Sequence, residues 1–76
     1  MTLADAVADE VQRRRTARGM SQNALARAAG VPPRSLHRAL NGDRALQLDE
    51  VERLAPVLDV SVGWLLRSAL TRVPRP

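Results

Sequence analysis

Two arginines one helical turn apart, Arg34 and Arg38, are the side chains of this sequence best suited to recognition chemistry. A guanidinium can pair through two parallel hydrogen bonds with guanine O6 and N7 or with phosphate oxygens. When the residues are placed at about 100° intervals around a helix, Arg34, Arg38 and Asn41 fall on one side. The apolar Leu36 and Leu40 fall on the other side. The spacing therefore predicts a helix with one buried face and one face that offers arginines to an anionic partner.

The stretch from Ser21 to Gly42 contains two short helical patterns joined by a turn with a glycine, which is the sequence form of a helix-turn-helix. In that motif the second helix enters the DNA major groove. Gly30 predicts the end of the first pattern, and Pro33 suits the first turn of the second, where its missing N–H costs nothing. The recognition helix is expected at about residues 33–41.

Three further helical patterns surround this motif, so the expected fold is all-α, a compact bundle of five helices. The others span about residues 3–18, 48–58 and 62–70, with Thr2 and Ser61 as N-caps of the first and last. The inward-facing residues of the last two patterns are expected to include Leu48, Leu65 and Leu70. Residues 1–72 are expected to form a single domain and residues 73–76 a flexible C-terminal tail.

The composition limits the classes of function. The chain has 76 residues, no Cys and a single His, so we expect no disulfide, metal site or cofactor, and no enzyme. Residues 11–44 carry eight arginines and one acid, whereas residues 1–10 carry three acids and no base. Positive charge gathered around the predicted motif favours a polyanionic partner. Without a signal pattern or an apolar run of membrane length, a cytoplasmic location is expected, in a bacterial or phage-infected cell.

Several short motifs resemble the phage repressor and Cro type of helix-turn-helix domain, a five-helix DNA-binding family. These motifs are Arg15, Gly-Met-Ser-Gln at 19–22, Leu-Ala at 25–26, Gly-Val at 30–31, Ser-Leu-His-Arg at 35–38, Asn-Gly at 41–42 and Val-Ser-Val-Gly-Trp-Leu-Leu at 60–66. The resemblance extends from Ala8 to Leu66. It implies a sequence-specific regulator of transcription, in particular a repressor, that binds double-stranded DNA.

The resemblance also implies roles for individual residues. Positions that face base edges in the family are occupied by Pro33, Arg34 and Arg38. Gln22 matches a glutamine that contacts phosphate and braces the recognition helix, and Arg15 matches an arginine near the DNA backbone. Together with flank positions judged from the helical wheel, the residues expected at the DNA backbone are Arg15, Ser21, Gln22, Ser35, His37, Asn41 and Arg44. For Ser35, phosphate contact and helix packing remain equally open.

Two departures from the family pattern alter these expectations. Pro33 has no donor for a base, so it offers van der Waals contact alone. Leu40 stands where some members place an acid that pairs with the arginine at Arg15, and Arg15 is therefore expected to be freer to bind DNA. Pro56 is also atypical, because it lies inside the fourth helical pattern.

Trp64 projects almost opposite the apolar stripe of the fifth helix, and a helix that is apolar on two sides needs two surfaces to pack against. One is the domain core, and the other is either the rest of the bundle or a second copy of the protein. Dimerisation on a palindromic operator is expected, through Trp64, Leu65 and Leu70. The alternative function is the DNA-binding antitoxin, or protein-interaction module, of a toxin–antitoxin pair.

Overall fold

The computed structural model describes residues 1–73, and these residues contain five helices and no strand. The expected all-α, five-helix class is confirmed, and each helix ends within one residue of its predicted bounds. The helices are α1 (Leu3–Ala17), α2 (Gln22–Ala29), α3 (Pro33–Leu40), α4 (Leu48–Val57) and α5 (Val62–Leu70).

Three helices begin at hydroxyl side chains that the sequence marks as N-caps. The Ser21 Oγ accepts the Ala24 N–H at 3.0 Å, and the Ser61 Oγ accepts the Trp64 N–H at 2.9 Å. At the start of α1, Thr2 and Asp5 form a reciprocal capping box, with both hydrogen bonds at 3.1 Å. The hydrogen bond that the Thr2 N–H donates to this carboxylate, followed by the contact with the Thr2 side chain, lowers the pKa of Asp5.

The first four helices end in the same kind of turn, in which one residue adopts a left-handed conformation. At the end of α2, Gly30 has φ +72°, the Gly30 N–H donates to the Arg27 carbonyl, and the Val31 N–H donates to the Ala26 carbonyl. This arrangement satisfies carbonyls that a helix end otherwise leaves unpaired. It also reverses the chain within a few residues, which places α3 directly across α2.

The core consists of aliphatic side chains from all five helices. Its largest fully buried members are Val11, Leu25, Leu36, Leu54, Leu58 and Leu65. Helix α1 packs along α5, and α3 packs against both α1 and α2. Helix α3 is therefore held from behind by two helices, while its other face is open to solvent.

Some expectations about inward-facing residues are wrong. Leu48 is 69% exposed and Leu70 56% exposed, and they are the first and last residues of their helices. Leu65, in contrast, is completely buried, which confirms its expected inward position and contradicts its expected place among the dimer contacts. Val73, expected in the tail, is partly buried against the core, and the remainder of the expected tail, residues 74–76, lies outside the described residues.

The proline in α4 is accommodated at the end of the helix. Pro56 is exposed and precedes the last residue of α4, so its missing N–H removes one internal hydrogen bond, to the Glu52 carbonyl. The Arg14 Nε donates to the Leu58 carbonyl at 3.0 Å, which ties this helix end to α1. No helix within residues 1–73 is long and apolar enough to cross a membrane.

Candidate nucleic-acid interface

Helix α3 has the two faces that its sequence predicts. Leu36, Ala39 and Leu40 are buried, whereas Arg34 and Arg38 are exposed. Neither arginine makes a side-chain hydrogen bond or an ion pair within residues 1–73, so both guanidinium groups keep all their donors for a ligand. Pro33, the first residue of α3, is exposed at the start of the same helix.

A chain of side-chain hydrogen bonds joins the start of α2 to the end of α3. The His37 Nδ1 lies 2.8 Å from the Gln22 Oε1, and the His37 Nε2 lies 2.9 Å from the Asn41 Nδ2. Because an amide oxygen accepts and an amide nitrogen donates, these two contacts fit an imidazole that donates from Nδ1 and accepts at Nε2. The structure therefore brings together three of the expected backbone-contacting residues, and it shows Gln22 bracing the recognition helix through His37.

On the opposite flank of α3, Arg44 is held within its own domain. Its Nη2 lies 2.7 Å from the Glu50 Oε2, and its Nη1 lies 2.8 Å from the Glu50 Oε1. It also donates to Ser35, from Nε to the carbonyl at 3.2 Å and from Nη2 to the hydroxyl at 2.7 Å. We call the cluster of Ser35, Arg44 and Glu50 the arginine lock.

The arginine lock joins α3 to α4 and is well shielded from solvent. The Arg44 and Glu50 side chains are 22% and 10% exposed. The hydrogen bond from Arg44 lowers the pKa of Glu50, and the same contact raises the pKa of Arg44. The Glu50 Oε1 also accepts the Gln47 N–H at 3.0 Å, which completes a capping box at the start of α4. Arg44 is therefore engaged in structure, and its contact with DNA stays a prediction.

Arg15 is not freed by the absence of an acid at position 40. Its Nε donates to the Gln12 Oε1 at 2.8 Å, and its Nη1 donates to the Met20 carbonyl at 2.7 Å. The expectation of a freer Arg15 is wrong, because a side chain within its own helix and a turn carbonyl replace the missing acid. These contacts fix the turn between α1 and α2, just before the Ser21 N-cap.

Sequence reasoning missed the partners that the arginines find inside the domain. Glu50 lies in the first turn of α4 and is the partner of Arg44, which the sequence alone did not predict. The bridge through His37 was missed too, and the four-residue spacing of His37 and Asn41 on one helix is the signal that predicts part of it. Within residues 1–73 there is no group of three or more His, Cys, Asp or Glu side chains that could hold a metal ion.

Comparison with known proteins identifies a family and similar solved structures. A family model described as helix-turn-helix matches residues 11–65. The crystal structure of the clp gene regulator ClgR from Corynebacterium glutamicum superposes with a TM-score of 0.85 at 22% sequence identity, covering 95% of this chain and 77% of that chain. No curated protein matches the sequence significantly. At this identity the similarity to ClgR supports the fold alone.

Proposed function

The chain belongs to the helix-turn-helix family of DNA-binding transcriptional regulators, and on that premise we propose that it represses transcription by binding a palindromic operator as a dimer. Arg34 and Arg38 enter the major groove and pair with guanines, and Pro33 contacts a neighbouring base through its ring. The observation that carries the proposal is the open face of α3, where two unpaired arginines stand one turn apart on a helix braced from behind.

The proposed backbone contacts surround this face. Gln22 keeps its amide NH₂ group unpaired within residues 1–73, because its Oε1 alone contacts His37. The Ser21 hydroxyl accepts a backbone N–H but retains its own hydrogen for a phosphate. Proposed contacts through Arg15, Ser35 and Arg44 use the donors that their internal hydrogen bonds leave over. The protein acts where the DNA is, in the cytoplasm.

Selection of bound duplexes from a random pool tests this function directly. We expect enrichment of sites with guanines in two inverted half-sites, whose centres lie about 34–36 Å apart or a multiple of that distance. Enrichment of a single unrepeated half-site would contradict the palindrome and the dimer while leaving DNA binding intact. A pool without enrichment, from a protein that copurifies with a protein partner, would instead support the other part of the alternative, a protein-interaction module of a toxin–antitoxin pair.

The proposed dimer contacts are Trp64 and Leu70, which are 39% and 56% exposed on α5. One domain of this kind buries about 600–1,000 Å² on DNA, so a second copy is needed for high specificity. We expect Trp64→Ser and Leu70→Ser to weaken self-association in analytical ultracentrifugation. Leu48→Ser, at an apolar position on α4 that is 69% exposed, is the control. Dissociation by the control alone would place the interface elsewhere.

A further inference from the structure

The hydrogen-bond chain of Gln22, His37 and Asn41 has a direction, and its middle member can take up a proton. We propose that His37 is a positioning residue that decides which atoms of Asn41 face the DNA backbone, and that DNA binding takes up a proton at His37. The inference rests on the proposed DNA-binding function, because it concerns the groups that meet a phosphate beside α3.

When His37 is neutral, the direction of its hydrogen bond to Gln22 determines the direction of its hydrogen bond to Asn41. The His37 Nδ1–H donates to the Gln22 Oε1 at 2.8 Å, so the unprotonated Nε2 must accept, and it accepts from the Asn41 Nδ2 at 2.9 Å. This orientation turns the Asn41 carbonyl oxygen away from the ring. A phosphate oxygen can only accept hydrogen bonds, so an outward carbonyl oxygen opposes a phosphate at this position.

Protonation reverses one end of the chain and leaves the other end unchanged. A proton from solvent adds to the Nε2 lone pair, and both ring nitrogens then donate. The bond to the Gln22 Oε1 persists, since that oxygen already accepts. Asn41 has to rotate its amide by half a turn so that its oxygen accepts from Nε2, and both N–H donors of its NH₂ group then point away from the ring.

The protonated arrangement suits a phosphate in two ways. It replaces an outward acceptor with outward donors, and it adds a positive charge beside them. Hydrogen bonds in which one partner is charged are roughly twice as strong as neutral ones. The bound complex therefore favours the protonated form, and linkage requires that DNA affinity rise as the pH falls.

In the part of the protein that the structure describes, no charged group next to this hydrogen-bond chain is placed to supply the proton or to stabilise it, so it comes from solvent and is stabilised by DNA. On α3 the charged neighbours of His37 in sequence are Arg34 and Arg38, and the contact from α2 is the uncharged Gln22. No carboxylate within residues 1–73 lies within 4.0 Å of the His37 ring nitrogens. A cleft of about 440 Å³ is lined by Asn41 on one side and by Met1, Asp5 and Asp9 on the other. The experiment must therefore distinguish a proton taken up by His37 from one taken up by these groups.

Affinity measurements against pH test the proposal. A fluorescein-labelled duplex is titrated by fluorescence anisotropy at constant ionic strength between about pH 5.5 and pH 8, the range in which imidazoles change charge. We expect the affinity of the wild-type protein to rise as the pH falls, by at most about tenfold per pH unit for one proton. His37 is the only histidine of the chain, which makes its variants decisive.

Two conservative variants test the two hydrogen bonds of His37 separately. In His37→Asn the side-chain amide sits near the position of Nδ1 and keeps the donor to Gln22. In His37→Gln it sits near Nε2 and keeps a partner for Asn41. Neither variant titrates in this range, so both should lose the pH dependence, with binding at about pH 8 retained best by the variant that preserves the brace to Gln22.

The possible results distinguish proton uptake at His37 from the proposed DNA binding. A wild-type protein that binds DNA with the same affinity at every pH would overturn the proton uptake and leave the proposed function standing. Persistence of the pH dependence in His37→Asn would assign the proton to another group, such as the Met1 amine, and would also overturn it. Absence of DNA binding throughout would contradict the proposed function itself.

A measurement without DNA keeps the proposal testable if a variant fails to fold. Long-range ¹H–¹⁵N correlation spectra of the wild-type protein report which ring nitrogen carries the proton. We expect the tautomer protonated at Nδ1 in the neutral ring, and rearrangement of the Asn41 side-chain amide signals as the ring is protonated. The opposite tautomer, protonated at Nε2, would contradict the directed chain.

Discussion

Arg38 and Arg44 lie six positions apart in a basic segment, yet the structure uses them in opposite ways. Arg38 is exposed and makes no side-chain hydrogen bond or ion pair within residues 1–73, whereas Arg44 binds both oxygens of Glu50 and two oxygens of Ser35. Both carry the same charge. The difference shows that a basic sequence segment has to be divided into cations that build the domain and cations that remain for a ligand.

The largest effect is expected when the partner of Arg44 is removed. Glu50→Gln leaves a poorly solvated guanidinium with one charged partner fewer, and we expect the free energy of unfolding to fall by about 2–3 kcal/mol. Urea denaturation followed by circular dichroism gives the value. A loss below about 0.5 kcal/mol, the size of an exposed ion pair, would place Arg44 among the cations that remain for a ligand.

The complementary test removes the unpaired arginines. Arg34→Ala and Arg38→Ala should each weaken binding to the selected site by about 1–3 kcal/mol and relax the base preference there. Their free energies of unfolding should change by less than about 0.5 kcal/mol, because neither side chain contacts the core. Binding isotherms on matched and substituted duplexes give the first quantity. An unchanged base preference in both variants would contradict the proposed base contacts.

Low pH should reduce the stability that the arginine lock contributes, without affecting Arg34 and Arg38 on the exposed face of α3. Arg44 lowers the folded-state pKa of Glu50, so the stability from this contact is complete above the ordinary carboxyl pKa of about 4.3 and is lost as the pH falls through the lower folded value. We expect Glu50→Gln to flatten the acid limb of a plot of unfolding free energy against pH. Asp5, whose pKa is also lowered, should leave a residual slope. An unchanged acid limb would contradict the lock.

The smallest expected effect supplies the control. Arg53 and Asp49 also form an ion pair, but their atoms are 3.8 Å apart and their side chains are 52% and 60% exposed. Asp49→Asn should therefore change the free energy of unfolding by no more than about 0.5 kcal/mol. A loss as large as that of Glu50→Gln would show that burial is not what separates the two ion pairs.

The sequence predicted what depends on neighbouring residues. Thr2, Ser21 and Ser61 mark helix starts because a hydroxyl bonds an N–H three residues on, and Gly30 marks an end because glycine accepts a positive φ. The face of α3 followed from its periodicity for the same reason. Local signals of this kind need no knowledge of the fold.

What the sequence did not predict concerns contacts between distant segments and the ends of helices. The internal partners of Arg44 were missed because Ser35 and Glu50 lie nine positions before it and six after it and meet only in the folded chain. Leu48 and Leu70 have the right periodicity to be buried, but they stand at the ends of their helices and are largely exposed. Periodicity gives the direction of a side chain and not the extent of the surface opposite it.

The ion pair between Glu10 and Arg72 has a consequence for the boundaries of the folding unit. Glu10 lies in α1 with 7% of its side chain exposed, and Arg72, just after α5, is its partner. Both residues fall outside the matched residues 11–65, as do the buried Val7 and Ala69. A fragment cut to the matched span would keep the recognition helix but lose the clasp between the first and last helices. The span that the family model matches is therefore shorter than the segment whose side chains pack together in the folded domain.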